Sequence, residues 1–422
     1  MSDVDAHDEN IMIHDTIHGS YYLPDLAWEI IDTPIFQRLR QIKQTGNTHY
    51  VYPGAEHTRF QHSLGVAHLS REFGRAIKLK YGTLISDREI LLLCIAGLCH
   101  DLGHCAFSHL YDSLIIPMFT TDIQPAPAPA SAYSFCHEEA SYRLLSKIIQ
   151  ETEGLSDKIE QDELETIGKM IFGSAEKTPP SLRAGDTPCI KWTPSDEGRM
   201  WLYEIVSNSR TGIDVDKFDY LKRDCHYSGV QCTFDPQRLM AFFKIEAGHI
   251  TFRNKSKEII RSMWVSRDDL HRRVYQHRVV KCIDLMTVEM LKHCADMEII
   301  KGTPLKTAHL NLDAYCLLTD YRVQFMAEQV PAAKQILDRI QRRDLWKNLG
   351  SVESPHAIEF RFSQPNIKVA LATLQESYIY YIYDMNHASE SELSCPTSVV
   401  YRELIQQTQA VTGATITLRE AY

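Results

Sequence analysis

Apolar positions recur every three or four residues along most of the chain as far as about Cys294, the period of helices that bury one face. The stretch "PDLAWEIIDT" predicts a short amphipathic helix. Thr33-Pro34 predicts a restart that runs through "IFQRLRQIKQTG" and stops at Gly46. Helical spacing continues through "TRFQHSLGVAHLSREFGRAIKLKYG". It resumes in "SDREILLLCIAGLCHD", where Ser86 followed three residues later by Glu89 has the form of a capping box. A long helix is expected over roughly Glu258 to Cys294. Two segments break the pattern, the Pro/Ala-rich Thr120 to Ser134 and the Pro, Gly and charge-rich Gly173 to Gly198, and both read as loops. Beyond about Gly350 the runs "AIEFRFS" and "SYIYYIYDM" lean towards strand. The expected fold is mainly α, with a smaller α+β C-terminal lobe. Residues 1–10 are expected to be a disordered tail, 11–350 a core and 351–422 the lobe.

Composition narrows the function more than the fold. With 422 residues, 44 % apolar and 24 % charged, the chain can bury a sizeable core. A net charge of −10 argues against a protein that coats nucleic acid, but not against a basic pocket for a phosphorylated small molecule. No run of eighteen apolar residues exists and the first ten positions are acidic. The expectation is an intracellular protein, nuclear or cytoplasmic, with no membrane partner. Eleven cysteines without CxxC pairs suit free thiols in a reducing compartment and disfavour a zinc-thiolate knot.

Candidate chemistry centres on "AGLCHDLGHCAFSH", Ala96 to His109. Adjacent His100 and Asp101 at the end of a buried helix can both reach one metal ion, although such a dipeptide alone is more often a solvated helix end. Further ligands are available at His62 in "FQHS" and Asp216 in "GIDVDKFDY". Two imidazoles and two carboxylates would leave coordination positions open for water and a phosphate oxygen. His104, His109, Asp112 and His137 form a reservoir of acid/base groups, His104 being the candidate for a supporting role. If the chain is helical from Val215, then Lys217, Tyr220 and Asp224 share one face. In "SRDDLHRRVYQHR", Arg267, His271 and Tyr275 repeat every four residues, and Arg273 and His277 pair on another face. Arg59, three residues before His62, is placed to hold a phosphate beside the metal. No P-loop or GxGxxG fingerprint is present, so phosphate binding would fall to side chains.

The ordered series "DTIHG", "IIDTPIFQRLRQIKQTG", "YVYPGAEHTRFQHSLGVAHL", "IAGLCHDLGHCAFSH", "LYEIVSNSRTGIDVDKFDYLKRDCH", "LHRRVYQH" and "RRDLWKNLG" resembles the HD-domain phosphohydrolases. More closely, it resembles the deoxynucleoside triphosphate triphosphohydrolases of the SAM-and-HD-domain type. About fourteen residues precede "DTIHG", so a chain lacking the SAM module is expected, with the HD motif region at about 57–220. The resemblance implies His62, His100, Asp101 and Asp216 as metal ligands, and His109, Asp112 and His137, with Arg59, as the catalytic group. It implies Lys217, Tyr220 and Arg267 around the triphosphate, and Gln44, Asp224, Tyr275 and Gln276 facing the sugar. Tyr275 would crowd out a 2′-hydroxyl. The implied reaction releases a deoxynucleoside and intact triphosphate. The implied cofactors are Fe, Zn or Mn at the His/Asp site and Mg with the nucleotide phosphates.

Members of this type are gated by nucleotides bound between subunits of a tetramer. Asp32, Gln37 and Arg40, with Arg343 and Lys347 from a neighbouring subunit, match a guanine-nucleotide activator site for GTP. Val51, Tyr52, Arg238, Phe242, Arg253, Lys255, Arg273, His277 and Arg278 match a second, dNTP activator site. Ile11, His14, Ser20 and Ile259 depart from the pattern at these sites, and Thr45 departs near the sugar. The expected partners are a dNTP substrate, GTP and dNTP activators and further copies of the chain. The competing readings are an HD-domain hydrolase of another nucleotide, such as a monophosphatase, and a nucleotide sensor or single-stranded nucleic-acid binder.

Overall fold

The computed structural model describes residues 11–121, 136–183, 189–358, 360, 367–373, 378–385, 403, 407–408 and 415–418. The expected disordered tail, residues 1–10, and most of the Pro/Ala-rich segment lie outside them. The chain divides into two compact units. One comprises residues 1–46, 54–266 and 307–321, the other 47–53, 267–306 and 322–422.

The first unit is helical around a buried pair of helices, Arg59–Tyr81 and Asp87–Cys99. Ser86 and Glu89 close a capping box on the second, as their spacing predicts, and Thr58 and Gln61 close another on the first. Leu92, Leu93, Cys94, Ile95, Ala96 and Leu98 are all buried. The two helices cross closely because of Gly97. A Cβ there would sit 2.3 Å from Ser70 Oγ and 2.9 Å from the Val66 carbonyl. The helix Val215–Ser228 begins at Asp214, whose carboxylate accepts from the Lys217 amide, and packs on Arg59–Tyr81. Helix His137–Glu151 is tied to the turn after Cys99 through Ser141. Its hydroxyl donates to the His100 carbonyl at 2.7 Å and accepts from the Gly103 amide at 2.7 Å.

The helix expected through "IFQRLRQIKQTG" stops early. Pro34–Gln37 is α-helical, Arg38–Gln41 is a 3₁₀ turn, and Ile42 is extended. The cause is tertiary, since the Ile42 carbonyl accepts from the Arg59 amide and the Gln44 amide donates to the His57 carbonyl. Extended pairing with the Arg59 segment thus replaces the helix.

The second unit packs helices Arg278–Lys292 and Pro331–Gln341 beside a four-stranded antiparallel sheet. The sheet order is Thr415–Leu418, Lys347–Ser354, Tyr378–Asp384, Ile367–Thr373. Cys282, Ile283, Met286, Ile340, Trp346 and Tyr383 form its core. "SYIYYIYDM" supplies a strand as expected, while most of "AIEFRFS" lies outside the described residues. The expected helix Glu258 to Cys294 is broken into Lys257–Leu270, a π-helical turn His271–Tyr275, and Arg278–Lys292. His277 causes the last break, because its Nδ1 caps the Val279 amide at 3.2 Å with its own backbone out of the helical region. Among the described residues no helix is long and apolar enough to cross a membrane.

Candidate metal centre and acid/base cluster

Helix Arg59–Tyr81 carries His62 in its first turn, helix Asp87–Cys99 ends at His100-Asp101, and Asp216 lies in the first turn of Val215–Ser228. These three helix ends converge. His62 Nε2 is 3.1 Å from Asp216 Oδ1 and 3.4 Å from Asp101 Oδ2, and His100 Nε2 is 3.5 Å from Asp216 Oδ1 and 3.6 Å from Asp101 Oδ1. Ligand atoms about 2.0–2.1 Å from one tetrahedral ion stand roughly 3.3 Å apart, so these spacings suit a shared metal. Both Nε2 atoms are buried and make no hydrogen bond.

The opposite nitrogen of each ring is committed. His62 Nδ1 pairs with Asp219 Oδ2 at 2.7 Å, and His100 Nδ1 with the Gly97 carbonyl at 2.8 Å. These bonds turn both Nε2 atoms towards the carboxylates, the arrangement that orients metal-ligating imidazoles. Burial works against charge on His62, but Asp101, Asp216 and Asp219 outweigh it and hold the ring well above the ordinary histidine range. His100 is also raised, by Asp101 and Asp216 against burial. Asp216 is pulled down against burial by the two histidines. The cluster therefore draws positive charge to the point where the nitrogens and carboxylates meet. A divalent cation fits these donors, and two imidazoles with two carboxylates would hold a borderline or hard metal.

Asp219 went unremarked in the sequence, and it anchors this centre. Besides His62 it contacts His18 Nε2 at 2.6 Å and Arg223 through Nε and Nη2, each at 2.8 Å. Asp15 accepts from Arg223 Nη2 at 3.0 Å, so the "DTIHG" stretch buttresses the metal centre through Asp15 and His18. Against burial, the Arg223 guanidinium holds Asp219 well below the usual carboxylate range. Gly65 makes room, since a Cβ there would lie 2.0 Å from Asp219 Oδ1. The available signal was the i, i+3 spacing of Asp216 and Asp219 on a helix; the contact with His62 is tertiary.

Beside the metal centre lies the second cluster. His137 Nδ1 is 2.9 Å from Asp112 Oδ2, and His104 stacks on His137 with ring centroids 3.9 Å apart and meets His109 edge-on at 4.7 Å. Burial works against charge on His137, but Asp112, with Glu138 adding to it, raises the ring to about 9. His104 is driven the other way, first by burial and then by Arg59 and His137, and is neutral. His104 Nε2 sits 3.4 Å from Asp101 Oδ1, linking the two clusters. The backbone before His109 is left-handed, with φ of 63° at Phe107 and 53° at Ser108. The buried Asp320 holds it there by accepting from the Phe107 amide at 2.7 Å and the Lys43 amide at 3.0 Å, and burial lifts its carboxyl to about 6.

A cavity of about 320 Å³ opens on His100, Asp101, Asp216, His137 and Lys217. Lys177 and Asn208 also line it and were not singled out from the sequence. Lys217 Nζ lies 3.1 Å from Asp214 Oδ2. Arg59 is buried and directs its guanidinium to Asp101, to Ser108 Oγ at 2.9 Å and to the Gln44 carbonyl at 3.2 Å. Asp224 is buried against His57 at 2.6 Å, Gln44 is buried and Tyr220 half-buried. Cys99 and Cys105 are fully buried, with thiols pushed up by burial, and act as packing.

The remaining sequence candidates divide between the units. In the first, Arg40 covers the Phe60 ring at 3.5 Å and donates to Gln37 Oε1 at 2.7 Å. Lys255 covers Phe242 at 3.9 Å, and Asp32, Arg238 and Arg253 belong to the same unit. The second unit holds Arg267, Tyr275 and Gln276, and also Val51, Tyr52, Arg273, His277, Arg278, Arg343 and Lys347. Within it the Tyr52 hydroxyl donates to the Arg273 carbonyl, and Arg343 Nη1 to the Tyr50 carbonyl at 2.6 Å.

The HD domain family matches residues 59–187, and the HD associated region matches 234–369. Over 356 residues the chain is 38 % identical to the deoxynucleoside triphosphate triphosphohydrolase SAMHD1 of Gallus gallus, covering 81 % of this chain and 56 % of that protein. It is 36 % identical over 364 residues to the protein of that name in Homo sapiens, covering 83 % and 56 %. It is 30 % identical over 400 residues to an HD domain-containing protein of Acanthamoeba polyphaga mimivirus, covering 84 % and 78 %. The chain thus spans little more than half the length of the animal relatives.

Proposed function

From the premise that this chain belongs to the HD-domain family, we propose that it is a metal-dependent hydrolase that cleaves a dNTP to a deoxynucleoside and inorganic triphosphate. The observation that carries the reading is the convergence of His62, His100, Asp101 and Asp216 beside the His137–Asp112 pair, with His100, Asp101, Asp216 and His137 lining one cavity. Relatives named as deoxynucleoside triphosphate triphosphohydrolases support the choice of substrate.

His62, His100, Asp101 and Asp216 would hold a divalent metal, with Fe, Zn or Mn suited to the donors. When bound, it supplies Lewis-acid polarisation of a phosphoryl oxygen and acidifies water. The chain's own groups do the rest. His137, kept charged by Asp112, stands ready to protonate the departing 5′-oxygen, with His109 at its side. Lys217 and Lys177 at the cavity wall offset the charge of the triphosphate, with Mg travelling on the nucleotide. Arg59 neutralises Asp101 and so tempers the negative field at the α-phosphate. Tyr220, Arg267, Gln44, Asp224, Tyr275 and Gln276 are assigned to phosphate and sugar, with Tyr275 excluding a 2′-hydroxyl.

Activation by GTP and dNTP bound between subunits of a homo-oligomer belongs to the same reading. It assigns Asp32, Gln37, Arg40, Arg343 and Lys347 to the first activator, and the Tyr52, Phe242, Lys255 and Arg273 group to the second. The test is incubation of each dNTP with and without GTP, with products separated and oligomer size measured. Equal amounts of deoxynucleoside and triphosphate support the reading, and orthophosphate as the sole inorganic product defeats it.

A further inference from the structure

His104, His109, Asp112 and His137 each offer a ligand atom, and all four atoms lie within 4.8 Å of one another, apart from the His62, His100 and Asp216 set. His104 has no exposed surface, and neither of its ring nitrogens has a hydrogen-bond partner; Asp112 Oδ1 is likewise buried without one. A buried imidazole whose ring nitrogens make no hydrogen bond has a lone pair to offer an ion. Asp112 Oδ2 stands 2.9 Å from His137 Nδ1 and 3.8 Å from His104 Nδ1, spacings that bracket the roughly 3.3 Å edge of a tetrahedral zinc site. Three imidazoles and one carboxylate are the donor set of a borderline transition metal and a poor one for Mg or Ca.

We infer that this cluster is a second site, for a divalent transition metal of the Zn type, and that occupying it silences the acid/base group. A metal on His137 Nδ1 displaces one of the two protons of the imidazolium, so the charged, proton-donating ring and the metal-bound ring exclude each other. His109 is exposed and closes the site from the solvent side, which gives an ion a route in without opening the core. Excess zinc would then act as a reversible brake while the metal at His62, His100, Asp101 and Asp216 stays in place.

The full chain, stripped of metal, is titrated with Co²⁺, whose visible absorption reports tetrahedral nitrogen and oxygen ligation, and the count is repeated with Zn²⁺ by elemental analysis. Two equivalents per chain are expected. His109→Ala, a change at an exposed side chain that leaves no buried gap, should weaken one equivalent by at least about 100-fold and leave the other unchanged. Asp216→Ala should do the reverse. A single equivalent in the unaltered chain, or a second equivalent untouched by His109→Ala, overturns the proposal. Ions are counted without substrate, so the result stands or falls separately from the triphosphohydrolase reading.

Discussion

The two histidine clusters share one cavity wall, yet they are held in opposite ways. Around His62 and His100 every orienting bond is made: Asp219, Arg223, Asp15 and His18 form a closed charged network behind one imidazole, and a helix carbonyl fixes the other. Around His137 one close carboxylate, Asp112, is joined among the described residues only by Glu138 at 3.5 Å, and neither nitrogen of His104 makes a hydrogen bond. The first cluster is built to hold a charge still, the second to let a proton move. Rigid second-layer support marks the place where geometry must not vary, and its absence marks where protonation must.

The largest effect is expected from Asp216→Ala, which removes a carboxylate both imidazoles face. Triphosphate release should fall by about 10³-fold or more, with metal content falling in parallel. His137→Gln should cost roughly 10²- to 10³-fold in turnover while leaving bound metal at the His62 centre unchanged, which separates the two clusters by metal analysis. Asp219→Asn should weaken metal affinity about 10- to 100-fold with a smaller loss at saturating metal. If it behaved like a distant surface change, the claim that the network behind His62 orients it would fail.

The smallest effect is a shift in pH profile. The Asp112 partner raises His137 to about 9 in the fold, against an ordinary value of 6.5. Its charged form, and the stability tied to that charge, is therefore complete below about 6.5 and lost as pH rises through about 9. Activity should decline over the same alkaline range. Asp112→Asn should move that limb down towards the ordinary histidine range, and an unmoved limb would detach Asp112 from His137's protonation.

Much of this arrangement was legible in the chain. Local rules carried the capping box at Ser86 and the helix end at His100, and adjacency put His100 beside Asp101. His62 and Asp216 emerged because a metal at His100 and Asp101 needs further ligands and the family resemblance implies these two. Tertiary contacts were not legible. Asp219 meets His62 across 157 positions and Asp320 reaches Phe107 across 213, and neither distance leaves a periodic trace. The early end of the helix after Gln41 belongs to the same class, since a distant segment outcompeted local propensity. The break at His277 was local, but a histidine cap inside a helical pattern reads as one more polar face.

The account rests most directly on what leaves the cavity. The metal-loaded chain and Asp216→Ala are each incubated with dGTP and GTP, and inorganic products are resolved by anion exchange. The account predicts triphosphate and deoxyguanosine in equal amounts from the first and neither from the second. Orthophosphate or pyrophosphate in place of triphosphate, or undiminished triphosphate from Asp216→Ala, would contradict it.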